Sequence, residues 1–347
     1  MSSRPVPTEL LPWALSALGV CNHGQEPDLS VIAGDASNRR YFRLLLGGRN
    51  YVLAEAPPAT EKNEAFLAVR DMLSGAGVKV PALYAADIER GYLLLEDLGD
   101  RVLLPELSAA SVDRHYHAAC GALRQMAALG SGQLVLPPYD SELLGEELNR
   151  FPDWFVESLL GYSLDTSERA LLDRLFTPLI DTALEQPRVL VHRDFHSRNL
   201  MLQDDGQLAV IDFQDAVVGP VSYDLVSLLR DCYIQWPADR VCTWALAHRD
   251  AMCEQGLLAA EVDDALFLRW FDWMGLQRHI KVLGTFARLY LRDGKPAYLE
   301  DLPLVIAYVL EILEKYRSDE PTFAESLDWF EHRLSPLIAR QGWGDKL

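Results

Sequence analysis

Short segments of alternating hydrophobic and polar residues fill the first hundred positions of the chain. Side chains of a half-buried strand point alternately to the two faces of a sheet, so this alternation predicts β-strands. The predicted strands are 29–33, 40–46, 50–56, 80–87 and 91–98. Residues 61–77 instead place apolar side chains along one helical stripe and end in glycines, which predicts a helix between the third and fourth strands. A shorter helix is predicted over 8–19.

The hydrophobic pattern changes to a helical period after Gly99. Helices are predicted over 108–130, 140–160, 166–186 and much of 222–317. Two strand-like runs interrupt them, at 188–192 and 207–213. This change predicts an α+β protein of two domains, a β-rich lobe over 1–98 and a larger, mostly helical lobe over 99–347.

Polar residues with oxygen-bearing side chains stand at the ends of these two strand-like runs. The segment HRDFHSRNLM, residues 192–201, follows the first run and contains Asp194 and Asn199, five residues apart. The second run ends in IDF, which contains Asp212. Mg²⁺ prefers oxygen ligands, and a positioned Asp can accept the proton of an attacking hydroxyl. The spacing H-x-D-x-x-x-x-N followed by I-D-F therefore predicts phosphoryl transfer to a hydroxyl.

A loop of small and turn-forming residues, GDASN at 34–38, joins the first two predicted strands. Small side chains let backbone N–H groups approach phosphate oxygens closely, so this loop is a candidate phosphate cover. The loop lacks a full G-x-G-x-x-G pattern and indicates phosphate binding only in combination with the motifs above.

Composition and charge narrow the function classes. The 347-residue chain has a formal net charge of −19, which argues against non-specific nucleic-acid binding because that needs clustered Lys and Arg. Its five cysteines form no C-x-x-C pair, which favours reduced thiols and a cytoplasmic location. The N-terminus lacks the apolar core of a signal peptide, and the most apolar stretch, 302–313, is too short to span a bilayer. No membrane partner is expected.

Taken together, these motifs resemble the aminoglycoside and choline phosphotransferase branch of the protein-kinase-like fold, over nearly the whole chain. The resemblance implies a bilobal kinase-like fold of the aminoglycoside phosphotransferase type. Within that branch, the segments that look closest to bacterial amino-sugar kinases of cell-wall recycling are GDASNRRYFR, LLLEDLGDR, HRDFHSRNLM and VGPVSYDLVSLLRDCYIQWP. Such enzymes phosphorylate the C1 hydroxyl of N-acetylmuramate and N-acetylglucosamine, so the resemblance implies ATP, Mg²⁺ and a small amino sugar as ligands.

The resemblance also implies roles for particular residues. Asp194 would be the catalytic base, and Asn199 and Asp212 would hold Mg²⁺. Asp224 would support the catalytic loop, and Glu64 would match the glutamate of the first-lobe helix. The residues expected at ATP are Gly34, Asp35, Ser37 and Asn38 in the loop, Arg43, and Glu96, Asp97 and Leu98 in a hinge whose backbone hydrogen-bonds adenine.

The third predicted strand departs from the kinase pattern. Kinases carry a lysine at the end of this strand, paired with the helix glutamate and the ATP phosphates. Here Ala54 and Glu55 occupy the expected position, and the chain has no lysine before Lys62. We hypothesise that Arg43 or Arg40 of the second strand supplies the missing charge. Because strand side chains alternate, only one of the two can face the phosphates.

The acceptor site is less constrained by the sequence. Candidate contacts are Arg198, Gln214, Asp215, Arg230, Trp273 and Gln277. Residues 141–186 carry ten acidic side chains against three arginines, which suits a cationic substrate or a solvated helix surface. A basic stripe on one later helix face suits an anion such as a lactyl carboxylate, or pairs with the acidic helices. Its members are Arg278, Lys281, Arg288 and Arg292.

Two further functions stay open from the sequence. A kinase for another hydroxyl compound, such as an aminoglycoside or choline, is favoured by the acidic 141–186 region and disfavoured by the basic stripe. A non-catalytic nucleotide-binding regulator is suggested by the missing third-strand lysine. The intact set of Asp194, Asn199 and Asp212 argues against a regulator, because binding alone does not require a base and two metal ligands.

Overall fold

The structure, a computed structural model, describes residues 5–20, 27–32, 38–130, 132 and 135–344. The chain folds into two compact units. The first comprises residues 1–105 and 198–215, and the second comprises 106–197 and 216–347. The domain boundary predicted between residues 98 and 99 lies just before the first crossing between units. The return of 198–215 to the first unit was not anticipated from the sequence.

The first unit is built on a five-stranded antiparallel sheet with the order β1-β2-β3-β5-β4. Its strands are β1 (Asp28–Ile32), β2 (Arg40–Leu46), β3 (Arg49–Glu55), β4 (Leu83–Asp87) and β5 (Tyr92–Glu96). Helix α1 (Leu10–Ala17) packs its apolar side on one face of the sheet, and α2 (Asn63–Gly75) connects β3 to β4. The core under α1 contains alternate residues of the central strands, including Phe42, Leu44 and Leu53, as the strand period requires.

A small hairpin from later in the chain completes the first unit. It consists of β7 (Leu200–Leu202) and β8 (Leu208–Val210), which pair antiparallel. Backbone hydrogen bonds tie it to earlier segments: Leu103 N donates to Leu200 O at 2.8 Å, and Val210 N donates to Lys79 O at 2.8 Å. The ends of this hairpin therefore have fixed positions in the first unit.

The second unit is mostly helical and surrounds the 28-residue helix α8 (Asp264–Leu291), which packs against α5, α6, α9 and a π-helix. Its helices are α3 (Val112–Ala127), α4 (Ser141–Leu148), the π-helix (Phe151–Leu159), α5 (Thr166–Leu184), α6 (Tyr223–Leu229), α7 (Ala238–Glu254), α8, α9 (Leu302–Lys315), α10 (Pro321–Trp329), a short π-helix (Phe330–Leu334) and α11 (Ser335–Ile338). Short 3₁₀ turns cover Leu104–Glu106 and Pro296–Leu299. One two-stranded ladder, β6 (Arg188–Val191) with β9 (Val217–Pro220), lies among these helices.

Local chemistry accounts for several helix ends. A capping box starts α5, because the Asp165 carboxylate accepts from Glu168 N at 2.9 Å and the Glu168 carboxylate accepts from Asp165 N at 3.0 Å. The single helix predicted over 140–160 is wrong in one respect: it divides into α4 and the π-helix. Pro152 lies at this division, where its missing N–H and its ring prevent a continuous α-helix.

Two bulk properties bear on the sequence expectations. In the described ranges, no helix combines the length and hydropathy needed to cross a bilayer. The four cysteines within those ranges, Cys120, Cys232, Cys242 and Cys253, carry free thiols.

Gly284 marks a close approach between two backbone segments of the second unit. A Cβ atom added at this glycine of α8 would lie 2.2 Å from the Arg150 carbonyl carbon and 2.6 Å from Phe151 N. Close-packed interiors cannot absorb such an overlap without moving the helix. The glycine therefore lets α8 lie directly against the start of the π-helix.

We predict that Gly284→Ala lowers the free energy of unfolding by about 1–3 kcal/mol, because α8 must shift away from Arg150. Urea unfolding followed by tryptophan fluorescence measures this change. Gly145→Ala is the matched control: it lies within α4 with open space at Cβ, and helix propensity favours alanine there by up to about 1 kcal/mol. Equal stability of Gly284→Ala and the parent would contradict the close packing.

Candidate active site

The two residues expected to hold Mg²⁺ lie together in the first unit, at the ends of the β7–β8 hairpin. Asn199 Nδ2 lies 3.5 Å from Asp212 Oδ2, and Gln214 Nε2 donates to Asp212 Oδ1 at 2.9 Å. Ile211 N donates to Asn199 O at 3.1 Å and fixes the two ends of the hairpin side by side. Asp212 is exposed and has a φ of 65°, a left-handed conformation that non-glycine residues adopt at a cost.

This donor set fits Mg²⁺ bound together with a nucleotide. Asn199 and Asp212 offer amide and carboxylate oxygens, the hard ligands that Mg²⁺ prefers. Over the part of the chain that the structure describes, three His, Cys, Asp or Glu side chains nowhere converge as a metal cluster would require. A site with only two protein ligands must take its remaining ligands from phosphate and water, as Mg²⁺ sites in kinases do.

An arginine that the sequence analysis did not single out lies close to this hairpin. Arg39 precedes β2 directly, is only 4 % exposed, and has its guanidinium carbon 4.7 Å from the ring centre of Phe66. Phe66 in turn stacks on Phe213, the residue after Asp212, with 4.9 Å between ring centres. The carboxylate of Glu61 lies 3.7 Å from Arg39 Nε and also accepts from Asn38 N at 3.0 Å.

The two arginines proposed from the sequence as phosphate ligands are both bound by carboxylates of the first unit. Arg43 Nε donates to Asp97 at 2.6 Å, and its terminal nitrogen donates to Asp100 at 2.8 Å. These carboxylates raise the pKa of Arg43. Arg40 pairs with Glu55 and donates to the carbonyl of Pro5 at 2.9 Å.

The side chains of the proposed hinge are engaged within the first unit. The Glu96 carboxylate accepts from Lys79 Nζ at 2.7 Å and from Ala82 N at 3.0 Å. Asp97 binds Arg43 and also accepts from Gly99 N at 3.0 Å, and Leu98 O accepts from Gln203 Nε2 at 3.2 Å. The side chains of Glu96 and Asp97 are therefore occupied within the protein, and the prediction that this segment binds adenine concerns its backbone groups.

Two further predictions concern Glu64, the expected counterpart of the kinase helix glutamate, and the loop at 34–38. Glu64 is exposed on α2 and forms no ion pair with any residue that the structure describes. The carboxylate that lies near the buried Arg39 is that of Glu61, three residues earlier. Gly34, Asp35 and Ser37 lie outside the described residues.

Two buried carboxylates hold the loop that carries Asp194 in the second unit. Asp224 of α6 accepts from His192 N at 2.6 Å and from Arg193 N at 3.0 Å. Asp231 accepts from Ser197 N at 3.0 Å and from the Ser197 hydroxyl. Burial raises the pKa of Asp224 to about 6, although its bonds to the loop oppose this shift.

The carboxylate of Asp194 is exposed on this loop and surrounded by positive charge. Loss of water to the surrounding protein raises its pKa, but Lys281, His196 and Arg193 outweigh that effect. The net result is a pKa below the usual value for Asp. Asp194 is therefore ionised at neutral pH and able to accept a proton.

A buried charge network lies behind the Asp194 loop. Glu147 has no exposed surface, and its carboxylate accepts from Arg193 and from the Tyr139 hydroxyl. Lys281 Nζ lies 3.1 Å from Glu147 and donates to the Tyr223 hydroxyl at 2.8 Å. Glu147 was one of ten acidic residues assigned from the sequence to a cationic substrate or a solvated surface. For Glu147 that interpretation is wrong, because partners within the second unit neutralise it.

The basic stripe on α8 divides between two environments. Arg278 and Lys281 are buried, whereas Arg292 is exposed and paired with Asp293. Arg278 donates to Cys232 Sγ at 3.3 Å and forms no ion pair with a carboxylate in the described ranges. Burial lowers the pKa of His196. The negative charge of Asp194 raises this pKa, and the positive charge of Arg278 lowers it. Arg278 therefore contributes positive charge beside the Asp194 loop.

The predicted acceptor residues divide equally between the two units. Trp273 packs in the core against Phe323, with ring centres 4.9 Å apart. Gln277 is fully buried, and both of its amide atoms lack a hydrogen-bond partner among the described residues. Arg230 is buried and forms an ion pair with Asp272 at 2.7 Å. Gln214 donates a hydrogen bond to Asp212, and Asp215 accepts one from Lys62 at 2.9 Å. Arg198 is exposed.

A cavity in the second unit adjoins Arg230. Its volume is about 290 Å³, and its lining includes Gln235, Trp236, Tyr308 and Glu311. Asp231, which holds Ser197 of the Asp194 loop, is the residue after Arg230. Aromatic, amide and carboxylate groups of this kind bind the faces and hydroxyls of sugars. The sequence analysis named Arg230 but not the rest of the lining.

Comparison with known proteins supports the same family throughout. The sequence model of the phosphotransferase enzyme family (APH) matches residues 28–262. The chain is 42 % identical to the N-acetylmuramate/N-acetylglucosamine kinase of Pseudomonas putida, over 82 % of this chain and 83 % of that protein. It is 40 % identical to the protein of the same name from Neisseria meningitidis, over 86 % and 89 % of the two chains.

Solved structures support the fold. Plasmodium vivax ethanolamine kinase aligns with a TM-score of 0.59 at 11 % identity, over 82 % of each chain. Choline kinase LicA of Streptococcus pneumoniae aligns with a TM-score of 0.56 at 14 % identity, over 87 % of this chain and 98 % of LicA. The predicted α+β kinase-like fold of the aminoglycoside phosphotransferase type is confirmed. The chain therefore belongs to the APH phosphotransferase enzyme family.

Proposed function

We propose that this protein is an ATP-dependent kinase that phosphorylates the anomeric C1 hydroxyl of N-acetylmuramate and N-acetylglucosamine, within the cytoplasm and in peptidoglycan recycling. The observation that carries the proposal is the ionised Asp194 on a loop held at both ends by Asp224 and Asp231. The choice of acceptor is supported by the relatives of 40–42 % identity, which are named for these two sugars.

The phosphoryl group passes from ATP to the acceptor in one displacement. Asp194 orients the sugar hydroxyl and accepts its proton as the oxygen bonds to the γ-phosphorus and the bond from that phosphorus to ADP breaks. The products are the sugar 1-phosphate and ADP. Asn199 and Asp212 would hold Mg²⁺, whose charge offsets that of the phosphate oxygens.

The lowered pKa of Asp194 makes it a weak base, so its main contribution is to position the hydroxyl and receive the proton late in the transfer. An anomeric hydroxyl is more acidic than the other hydroxyls of a sugar. A weak carboxylate base can therefore deprotonate the proposed C1 hydroxyl more readily than one of the other hydroxyls of the sugar.

The two proposed sugars differ in charge, and Arg278 offers a reason why the anionic one is accepted. N-acetylmuramate carries a lactyl carboxylate, which N-acetylglucosamine lacks. Arg278 is 3 % exposed, lies near His196 of the Asp194 loop and forms no direct ion pair in the described ranges, although Asp231 lies within electrostatic range. A buried guanidinium of this kind is stabilised by an anionic ligand.

An aminoglycoside or choline acceptor has less support from the charges. Two of the ten acidic residues of 141–186 cannot serve such cations, because Glu147 is fully buried and Glu168 is bonded to Tyr162 and Trp329. The nearest charges around Asp194 are predominantly positive. A polycation would be repelled from the loop that must receive its hydroxyl.

We predict that the purified protein releases ADP from MgATP with N-acetylmuramate and N-acetylglucosamine, and does not with their C1-reduced alditols, kanamycin or choline. A coupled ADP assay over this panel makes the measurement. Asp194→Asn is expected to reduce kcat by at least about 100-fold, because the amide cannot accept the proton, while MgATP binding is retained. Turnover of either alditol would contradict the C1 assignment, and near-normal activity of Asp194→Asn would contradict the base.

We also predict that Arg278→Met raises the KM for N-acetylmuramate by about tenfold or more, since a charged hydrogen bond contributes about 1.5–3 kcal/mol. The KM for N-acetylglucosamine should change by less than about threefold. Arg292→Met, on an exposed arginine at the end of the same helix, is the matched control. Equal losses for both sugars would make Arg278 a structural residue, and no loss for either would place the carboxylate elsewhere.

A further inference from the structure

We propose that Arg39 is the phosphate-binding cation of this enzyme, in the place that a third-strand lysine fills in kinases, with Glu61 as its carboxylate partner. The inference rests on the proposed function only in taking ATP as the phosphoryl donor. It concerns the nucleotide and is independent of which acceptor is used.

The sheet register brings Arg39 next to the position where the lysine is missing. Tyr41 of β2 lies directly across from Ala54 of β3, so these two residues share one face of the sheet. Arg39 lies two positions before Tyr41 along an extended segment and projects to the same face. Its side chain is thus a diagonal neighbour of Ala54, whose methyl group occupies little of the space that a lysine would fill.

Contacts of the described residues place that face beside the candidate metal ligands. Arg39, Phe66 and Phe213 form a stack that ends one residue after Asp212. Tyr41 lies in the field of both groups: burial raises its pKa, Arg39 lowers it and Asp212 raises it again. Arg39 and Asp212 are therefore within electrostatic range of the same phenol. Asp212 is a proposed Mg²⁺ ligand, and phosphates that share this Mg²⁺ would experience the positive charge of Arg39.

Glu61 takes the part of the missing helix glutamate. It lies just before α2, 3.7 Å from Arg39 Nε, and its other oxygen accepts from Asn38 N. The ion pair with Glu61 holds the guanidinium in place, and the planar group has donors on more than one edge with which to bind anions. Arginine suits this position because it stacks on Phe66, which the ammonium of lysine does less well.

Three other cations of the first unit, Arg43, Arg40 and Lys62, have side chains that are more exposed than that of Arg39. Arg43 is bound by two carboxylates, Asp97 and Asp100. Arg40 alternates to the opposite face, where it pairs with Glu55. Lys62 is 71 % exposed and reaches Asp215 at 2.9 Å, so its amine is already solvated and paired. Arg39 is the buried member of this group.

The test compares nucleotides that differ only in phosphate. The dissociation constants of ATP, ADP and adenosine are measured by isothermal titration calorimetry, with Mg²⁺ present and no acceptor. Ligands that bind too weakly for direct titration are measured by their competition with ATP. Arg39→Met is expected to weaken ATP and ADP binding about tenfold or more and to leave adenosine within about twofold. Arg39→Lys should recover part of the lost affinity, because the charge is restored without the stacking on Phe66. Arg49→Met, an exposed arginine of the same sheet that bonds Tyr84, is the matched control.

Each remaining outcome decides against Arg39. ATP affinity within twofold of the parent in Arg39→Met overturns the proposal. Equal loss of ATP and adenosine, or no recovery in Arg39→Lys when the variant keeps the parent melting temperature, assigns Arg39 a structural role. Loss of the phosphate-dependent affinity in Arg43→Met or Lys62→Met, but not in Arg39→Met, gives the role to that residue. Because no acceptor is present, these results stand apart from the sugar panel, which tests the proposed function.

Discussion

The position of Asp194 depends on two carboxylates that the second unit buries beneath its loop. A buried carboxylate is costly unless hydrogen-bond donors surround it, and here the donors are the backbone N–H groups of the loop itself. Asp224 takes those of His192 and Arg193, and Asp231 takes that of Ser197. The N–H groups of the loop thus supply hydrogen-bond donors to both buried carboxylates, and the same hydrogen bonds fix the conformation of the loop. The left-handed backbone of Arg193, with a φ of 76°, is maintained by the same bonds.

A second consequence of burial is the sign of the field at Asp194. Glu147 is fully buried and paired with Arg193 and Lys281, so the negative charge lies behind the loop and the cations lie between it and Asp194. This order keeps the pKa of Asp194 low and its carboxylate ionised. It also gives a protein of net charge −19 a locally positive environment at the loop, where a phosphate-bearing donor and an anionic sugar are proposed to react.

The fold and the central motifs could be predicted from the sequence because their signals are local. Strand β2 covers the predicted residues 40–46, and Asp194, Asn199 and Asp212 stand at strand ends that the hydrophobic pattern marks. The strands β7 and β9 were not predicted, although they have the same lengths as β8 and β6, which were. Glu147 with Lys281, and Arg39 with Phe66 and Phe213, come together only through tertiary packing. No spacing along the chain indicates them.

The alanine at position 54 has a further consequence for how such a protein responds to chemical probes. Acylating reagents that are delivered by a nucleotide label kinases through the amine of the third-strand lysine. Position 54 offers a buried methyl group instead, and the amines of Lys62 and Lys79 are held by Asp215 and Glu96. Surveys that recognise kinases by this amine would pass over the chain, whereas dicarbonyl reagents selective for guanidinium groups would find arginines on the same sheet.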